Sequence, residues 1–158
     1  MQKIVSFLPP PLDPLFLPAA LWNRAYQATV ANDLAARTLT IALERPDGGS
    51  SHHVSRVLNA NHPEAPLTLR YAERLLKFLL WQRGGCKVSI AGAPEIGAHL
   101  SFIYSPRGER AFDHEFMGEK VYGRVFCVEN VDPSDLPEER DTSQPMGRHL
   151  DGCRIGFD

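Results

Sequence analysis

One segment, TLRYAERLLKFLLWQRGG at residues 68–85, limits what this chain can fold into more than any other. Its apolar residues recur at the i, i+3, i+4, i+7 and i+8 spacing of one helical face, and its charged residues fall largely on the opposite side. These apolar positions are Ala72, Leu75, Leu76, Leu79 and Leu80. The glycine pair that closes the segment tolerates the left-handed backbone of a helix end. We predict a helix here that is buried along one face.

The sequence before this helix predicts another helix and then a hairpin. Pro18 suits the first turn of a helix that is expected to run to about Ala36. Its expected buried stripe consists of Leu21, Trp22, Ala25, Ala28 and Thr29. Residues 38–44 and 54–58 alternate apolar and polar side chains on either side of the turn sequence PDGG, as hairpin strands do. Three apolar residues of the first strand fall on one face, which we expect to be buried. They are Leu39, Ile41 and Leu43.

The sequence after the helix predicts a βαβ unit. Residues 87–91 are typical of a strand, a helix begins near Pro94, and residues 122–128 (YGRVFCV) are typical of a second strand. Phe112 and Phe116 indicate a short helical piece between them. Strands joined in this way should be parallel, with a right-handed crossover. The predicted order is α-β-β-α-β-α-β, a three-layer-like small α/β domain, with an α+β arrangement as the alternative.

The chain of 158 residues is expected to hold one domain between two flanking segments. Residues 1–17 are proline-rich and are expected to form an extended arm that lies across another surface. Residues 18–128 form the predicted α/β domain. Residues 129–150 are predicted to be an acidic, proline-containing linker, because residues 129–141 carry six acids and one arginine. Residues 151–158 (DGCRIGFD) are typical of a short strand with Asp158 at its carboxyl end.

Composition and charge exclude some classes of function. The net charge of −2 gives no overall field that favours nucleic acid or an anionic membrane. The apolar run at residues 4–8 is too short for a signal peptide, and no stretch approaches the roughly 18 apolar residues of a membrane span. Cys86, Cys127 and Cys153 lie far apart and form no Cys-x-x-Cys pair, which predicts core thiols rather than a zinc site or a disulfide framework. A cytoplasmic location is predicted.

The glycine-containing segment SIAGAPEIG at residues 89–97 is the first candidate site, since a strand, a glycine turn and a helix can together cradle a phosphate. Pro94 removes one of the N–H donors that such a cradle needs, and the Gly-x-Gly pair of a dinucleotide fingerprint is missing. We therefore favour a plain joint between strand and helix.

The other polar clusters also have ordinary explanations. His52 and His53 adjoin the predicted hairpin turn, and neighbours in a strand point to opposite faces, so a solvated turn is favoured over a metal site. Consecutive helical positions diverge by about 100°, which disfavours a metal at Asp113-His114-Glu115. Arg107 and Arg110 could bind an anion, but an exposed loop charged for solubility explains them as well. Trp22 and Trp81 are expected in the core rather than as stacking platforms.

The last five residues, Arg154 to Asp158 (RIGFD), resemble the start of the phosphate motif in sugar kinases of the ROK family, which belong to the actin-like ATPase superfamily. In that family an apolar strand ends in Asp, just before a glycine-rich turn. The segments LRYAERLLKFLLWQRGG, KVSIAG and GRHLDGCRIGFD resemble the N-terminal region that precedes the kinase-like domain in a branch of ROK-like proteins. The resemblance covers roughly residues 60–158.

The resemblance implies a non-catalytic N-terminal domain followed by the first strand of an ATP-binding lobe. Asp158 is the one residue it assigns, as a carboxylate near Mg-ATP if the chain continues. The glycine turn, the sugar-binding residues, the catalytic Asp and the Cys-rich zinc motif would all lie downstream. The 158 residues alone are therefore expected to have no catalytic residue, metal or cofactor. The implied partners are the downstream kinase-like domain and its sugar substrate, with a homo-oligomer left open.

Two alternatives remain at this point. The chain could be a complete small α/β module that binds a ligand or a protein without catalysis. It could also be a ROK-type transcriptional regulator, which places a helix-turn-helix with a basic recognition helix before the kinase-like domain. The helix at residues 67–83 is basic on its outer face, but its neighbours are predicted to be strands.

Overall fold

The computed structural model describes residues 16–140 and residue 142, and it confirms a small α/β domain. Its elements follow the predicted order. They are α1 (Ala19–Asn32), β1 (Arg37–Glu44), β2 (Ser50–Val57), α2 (Pro66–Arg83), β3 (Lys87–Ala91), α3 (Pro94–Ile103), α4 (Ala111–Glu115) with a π-helix (Phe116–Tyr122), β4 (Cys127–Asn130) and a 3₁₀ turn (Pro133–Asp135). Within these described residues, no helix combines the length and the apolarity that a bilayer crossing requires.

The four strands form one mixed sheet in the order β2-β1-β3-β4. β1 lies between β2 and β3 and is antiparallel to both, so that Ile41 faces His53 on one side and Ile90 on the other. β3 and β4 are parallel, with Val88 opposite Val128, which confirms the parallel pair predicted for the βαβ unit. The sheet therefore combines a hairpin with a βαβ unit.

The core lies on one face of this sheet. Leu39, Ile41 and Leu43 are fully buried there, as their alternation predicts. The helices pack against them with residues that belong to the same cluster, including Leu76, Leu79 and Leu80 of α2 and Ile96 and Leu100 of α3. The end of α2 is also as predicted, because Gly84 has a φ of 72° that glycine adopts without strain.

The boundaries of three elements differ from the predicted ones. β2 begins at Ser50 rather than Val54, so the strand also includes residues 50–53, which follow the predicted turn PDGG directly. β4 begins at Cys127 rather than Tyr122, because the chain first continues from α4 as a π-helix that Gly123 ends in the left-handed region. α1 ends at Asn32 rather than near Ala36. The Asp33 carboxylate stops it by accepting the backbone N–H groups of Ala35 and Asn59.

The buried stripe of α1 also differs from the expected one. Trp22, Tyr26 and Val30 are buried, at a spacing of four residues, whereas Ala28 is exposed. Tyr26 is buried because its ring stacks between Trp22 and Tyr71 and its hydroxyl donates to Thr68 Oγ1 at 2.9 Å. A buried tyrosine with a satisfied hydroxyl is stable in a core, which apolar periodicity alone does not reveal.

The segment after β4 crosses the face of the sheet opposite the core. The Val131 N–H donates to Ile90 O, the Pro137 carbonyl lies 2.7 Å from His52 Nε2, and Arg140 pairs with Ser50 of β2. Since β4 and β2 are the two edge strands, the segment spans the sheet from one edge to the other. The boundary predicted at residue 128 falls inside β4, while residues 141 and 143–150 of the predicted linker lie outside the described residues.

Candidate functional site

The segment SIAGAPEIG forms the joint between β3 and α3. Gly92 has a φ of 88°, and a Cβ at that position would overlap the carbonyl oxygen of Thr38 on β1. Glycine is therefore required by the close approach of two backbones. α3 begins at Pro94, and Glu95 in its first turn is paired with Arg37, whose hydrogen bonds lower the pKa of that carboxyl.

A cavity of about 500 Å³ opens beside this joint, at the carboxyl ends of the parallel strands β3 and β4. Asn130 donates from Nδ2 to Pro94 O at 3.1 Å, and Asp132 and Asp135 supply carboxylates. The described lining residues include no lysine or arginine. A phosphate ligand normally needs cationic or N–H donors. The cavity is therefore suited to a neutral or cationic polar ligand, and its lining does not fit the triphosphate of ATP.

His52 and His53 lie within β2 rather than in a solvated turn, which corrects the prediction for them. His52 pairs with Ala42 on the face opposite the core, which the segment after β4 crosses. Its ring contacts Pro137 O there. His53 pairs with Ile41 on the face that the helices cover. Burial, followed by the nearby charge of Arg83, lowers the pKa of His53. The two rings project to opposite faces of the sheet and cannot chelate one ion.

The side chains of Asp113, His114 and Glu115 have three different sets of partners. Asp113 is buried and accepts hydrogen bonds from Lys77 Nζ at 3.2 Å and Trp81 Nε1 at 3.0 Å. His114 Nδ1 lies 2.8 Å from Tyr104 O, and Glu115 is paired with Lys120 at 3.3 Å on the surface. No group of three His, Cys, Asp or Glu side chains could hold a metal ion in the part of the chain that the structure describes.

Arg107 and Arg110 have different surroundings. Arg107 is exposed, as the loop prediction requires. Arg110 is half-buried and paired with Glu73 of α2, so it links the loop to that helix and is not a free charge for solubility. A guanidinium already bound to a carboxylate is a weak candidate for an anion site.

The indole of Trp81 is the main feature that the sequence prediction missed. Trp22 is buried, as expected, but Trp81 is 51% exposed on α2. Its ring stacks on Phe116 with centroids 5.2 Å apart, and Phe116 stacks on Phe112 at 5.6 Å. We call these three rings the aromatic ladder. Phe112 is 66% exposed, and Phe78 lies one turn before Trp81 on α2 with 59% exposure. The prediction that Trp81 is a core residue is therefore wrong.

The aromatic ladder is held in place by Asp113. A buried carboxylate is costly unless it is hydrogen-bonded and paired, and Asp113 has both kinds of partner in Trp81 and Lys77. The bond to Nε1 fixes the plane of the indole and leaves its outer edge in solvent. One sequence feature could have predicted that Trp81 is exposed. Trp81 directly follows Leu80, so it lies outside the i, i+3, i+4 spacing of the apolar stripe of α2.

The cysteines and the chain end complete the set of predicted residues. Cys86 is a buried free thiol, as predicted, whereas Cys127 is exposed and is not a core residue. Burial raises the pKa of the Cys86 thiol, and partial desolvation raises that of the Cys127 thiol although the residue is exposed. Cys153 and Asp158 lie outside the described residues, so the Mg-ATP contact implied for Asp158 stays a prediction.

Searches of protein-family models, of curated proteins and of solved structures gave no match to this chain.

Proposed function

We propose that this chain contains the non-catalytic N-terminal domain of a ROK-like sugar kinase homologue, and that the domain docks on the kinase-like part of the same protein. Transfer of phosphate from ATP to a sugar is expected only in a longer chain that includes that part. The RIGFD segment and the flanking resemblance support the identity of the protein. The arrangement of the described residues supports the docking role.

The observation that carries the docking role is the aromatic ladder. Two of its three rings are more than half exposed although they stack in a fixed order, and a buried carboxylate orients one of them. Contiguous exposed apolar surface is typical of sites that contact another protein, a membrane or a ligand. Trp and Phe are also among the residues that most often anchor protein interfaces.

The position at which the chain leaves the sheet is compatible with such docking. Arg140 pairs with Ser50, and Thr142 Oγ1 accepts a hydrogen bond from Arg45 at 3.0 Å, so the chain departs beside the β1–β2 turn. Cys153, in the predicted terminal strand, lies eleven positions after Thr142 in the sequence. An extended chain covers at most about 3.6 Å per residue, so this tether reaches up to about 40 Å. A downstream domain can therefore return to the α2–α4 surface.

The test compares the natural gene product with the 158-residue chain. Both are mixed with Mg²⁺, ATP and a panel of sugars, and phosphorylated sugar is measured after the intact mass has been recorded. We expect a mass well above 17.6 kDa for the natural product, with phosphoryl transfer by that product only. Asp158→Asn in the longer product should abolish transfer, because the carboxylate is expected to act at Mg-ATP.

The matched control is Glu138→Gln, which removes an exposed carboxylate paired only with Arg140 among the described residues. This variant should transfer phosphate at the normal rate. A natural product of 17.6 kDa, or full activity after Asp158→Asn, would contradict the proposal.

A second function is favoured by a specific observation, the cavity at the carboxyl ends of β3 and β4. Its carboxylates and amide would suit a small hydroxylated or cationic ligand in a free-standing binding module. Calorimetry of the 158-residue chain with neutral polyols, amines and nucleotides distinguishes this role. Binding of a polyol or amine that is lost in Asp132→Asn/Asp135→Asn would favour it.

The remaining alternative, a transcriptional regulator, gains no support around α2. β2 precedes this helix and β3 follows it, so α2 is not the second helix of a helix-turn-helix within the described residues.

A further inference from the structure

A groove of about 300 Å³ lies between the first turns of α1 and the first half of α2. Its lining residues are Ala19, Asn23, Tyr71, Arg74, Leu75 and Phe78. The floor is apolar, and Phe78 forms a largely exposed wall at one end. The groove is distinct from both the aromatic ladder and the cavity beside β3.

Two polar atoms of the groove are buried without a hydrogen-bond partner among the described residues. They are Asn23 Oδ1, an acceptor, and Arg74 Nη1, a donor. Buried polar groups in folded proteins are normally paired, and an unpaired one costs free energy. A peptide in extended conformation presents both the N–H and the C=O groups that would satisfy these atoms.

We propose that the proline-rich N-terminal arm, residues 8–15 (LPPPLDPL), binds in this groove as an extended peptide. The arm joins the described structure at the rim of the groove, because Leu17 packs against the core and Ala19 lines the groove itself. A polyproline II segment rises about 3.1 Å per residue and leaves its backbone groups free for bonds to a partner. Eight residues therefore span about 25 Å, enough to pass Phe78.

Charge complementarity supports this occupant. Asp13 is the one acid in the arm, and two arginines of α2 stand beside the groove. Arg70 and Arg74 both lie over the ring of Trp22, at 5.2 and 5.7 Å from its centroid. Asp13 is five residues before Pro18 in the sequence, so binding of the arm in the groove would bring its carboxylate toward these guanidinium groups. Proline rings also bind well against aromatic walls such as Phe78.

The experiment uses the full 158-residue chain with Leu12 replaced by the photo-crosslinking residue p-benzoylphenylalanine. After irradiation, the crosslinked peptides are identified by mass spectrometry. We expect crosslinks within one chain, to residues 71–78 of α2. Crosslinks that join two chains, or that map away from α1 and α2, would overturn docking of the arm on its own domain.

Two substitutions of exposed phenylalanines make the test specific. Phe78→Ser removes the wall of the groove, whereas Phe102→Ser removes a phenylalanine of α3 that is 74% exposed and does not line the groove. Crosslinking to α2 should fall about tenfold in the first variant, as loss of one buried aromatic contact predicts, and stay unchanged in the second. Asp13→Asn should also reduce crosslinking to α2. Both phenylalanine variants are exposed changes, so circular dichroism should show an unchanged fold. Equal crosslinking in Phe78→Ser and Phe102→Ser would reject the proposal.

Discussion

Two stacks of aromatic rings each include one residue of α2, and they differ in burial rather than in geometry. Toward its start, Trp22, Tyr26 and Tyr71 stack with centroids 5.6 and 4.6 Å apart, and all three are buried. Toward its end, the rings of the aromatic ladder stack at 5.2 and 5.6 Å, and two of them are mostly exposed. We call the first group the buried stack.

The comparison distinguishes rings that stabilise this domain, those of the buried stack, from rings that are available for binding, those of the aromatic ladder. The ring contacts themselves are of similar strength, so the difference comes from the apolar area removed from water. The buried stack is joined to the core through the Tyr26 hydroxyl, which also receives the Leu58 N–H. The aromatic ladder is tied to the core through Asp113 and keeps its outer surface free. A partner is needed to bury that surface.

The largest expected effect is on the buried stack. Trp22→Ala should lower the free energy of unfolding by about 3–5 kcal/mol, since it leaves a cavity between α1 and α2. Phe112→Ala, the matched change in the aromatic ladder, should lower it by less than about 1 kcal/mol because the ring is already solvated. Urea unfolding followed by circular dichroism measures both values. Equal losses would show that the two stacks do not differ in the way proposed.

The next largest effect concerns the support of the aromatic ladder. Asp113→Ala leaves Trp81 Nε1 without its acceptor and should cost about 1–3 kcal/mol. Asp113→Asn keeps an acceptor for the indole and should cost less. Acrylamide quenching of tryptophan fluorescence reports the orientation of Trp81, the more exposed of the two indoles. Quenching should increase in Asp113→Ala, and an unchanged quenching constant there would mean that Asp113 does not fix the ring.

The two stacks should differ in how they affect stability at alkaline pH, because only the buried stack contains tyrosines that can ionise. Burial raises the pKa of Tyr26 and of Tyr71 above the ordinary value near 10, whereas the aromatic ladder contains no tyrosine. The folded state thus binds more protons than the unfolded state above pH 10, and stability must fall there as pH rises. The expected slope is up to about 1.4 kcal/mol per pH unit for each tyrosine. Denaturation midpoints between pH 9 and 11 test this, and Tyr71→Phe should reduce the slope.

The smallest effect on stability is expected for Trp81→Ser. The side chain is half exposed, so we expect a loss near 1 kcal/mol or below, despite the removal of a large ring. Under the proposed docking role, its effect should appear instead in a longer protein, where docking through the aromatic ladder would be weakened. A thermal scan of the 158-residue chain and of the longer product, each with and without the substitution, makes the comparison. A larger destabilisation of the isolated domain than of the longer product would contradict the docking role.

Sequence patterns within single segments predicted more of the helices, strands and core than of the exposed aromatic ladder. α2 and the core-facing residues of β1 follow from periodicities that their own segments contain, and the parallel pair β3–β4 follows from chain connectivity. The contacts that set the aromatic ladder join residues far apart in sequence, since Asp113 lies 36 residues from Lys77 and 32 from Trp81. No local pattern reveals such a pairing. For the same reason, the length of β2 depends on Arg140, which pairs with Ser50 from the other end of the domain.

The most direct test of the docking role is hydrogen exchange of residues 111–122 in the natural gene product and in the 158-residue chain, measured side by side. These residues carry Phe112 and Phe116 of the aromatic ladder, and α3 provides an internal reference. We expect their amides to exchange at least about tenfold more slowly in the longer protein, because a docked domain adds stability to the segment it covers. Equal exchange rates for residues 111–122 in both proteins would contradict docking through this surface.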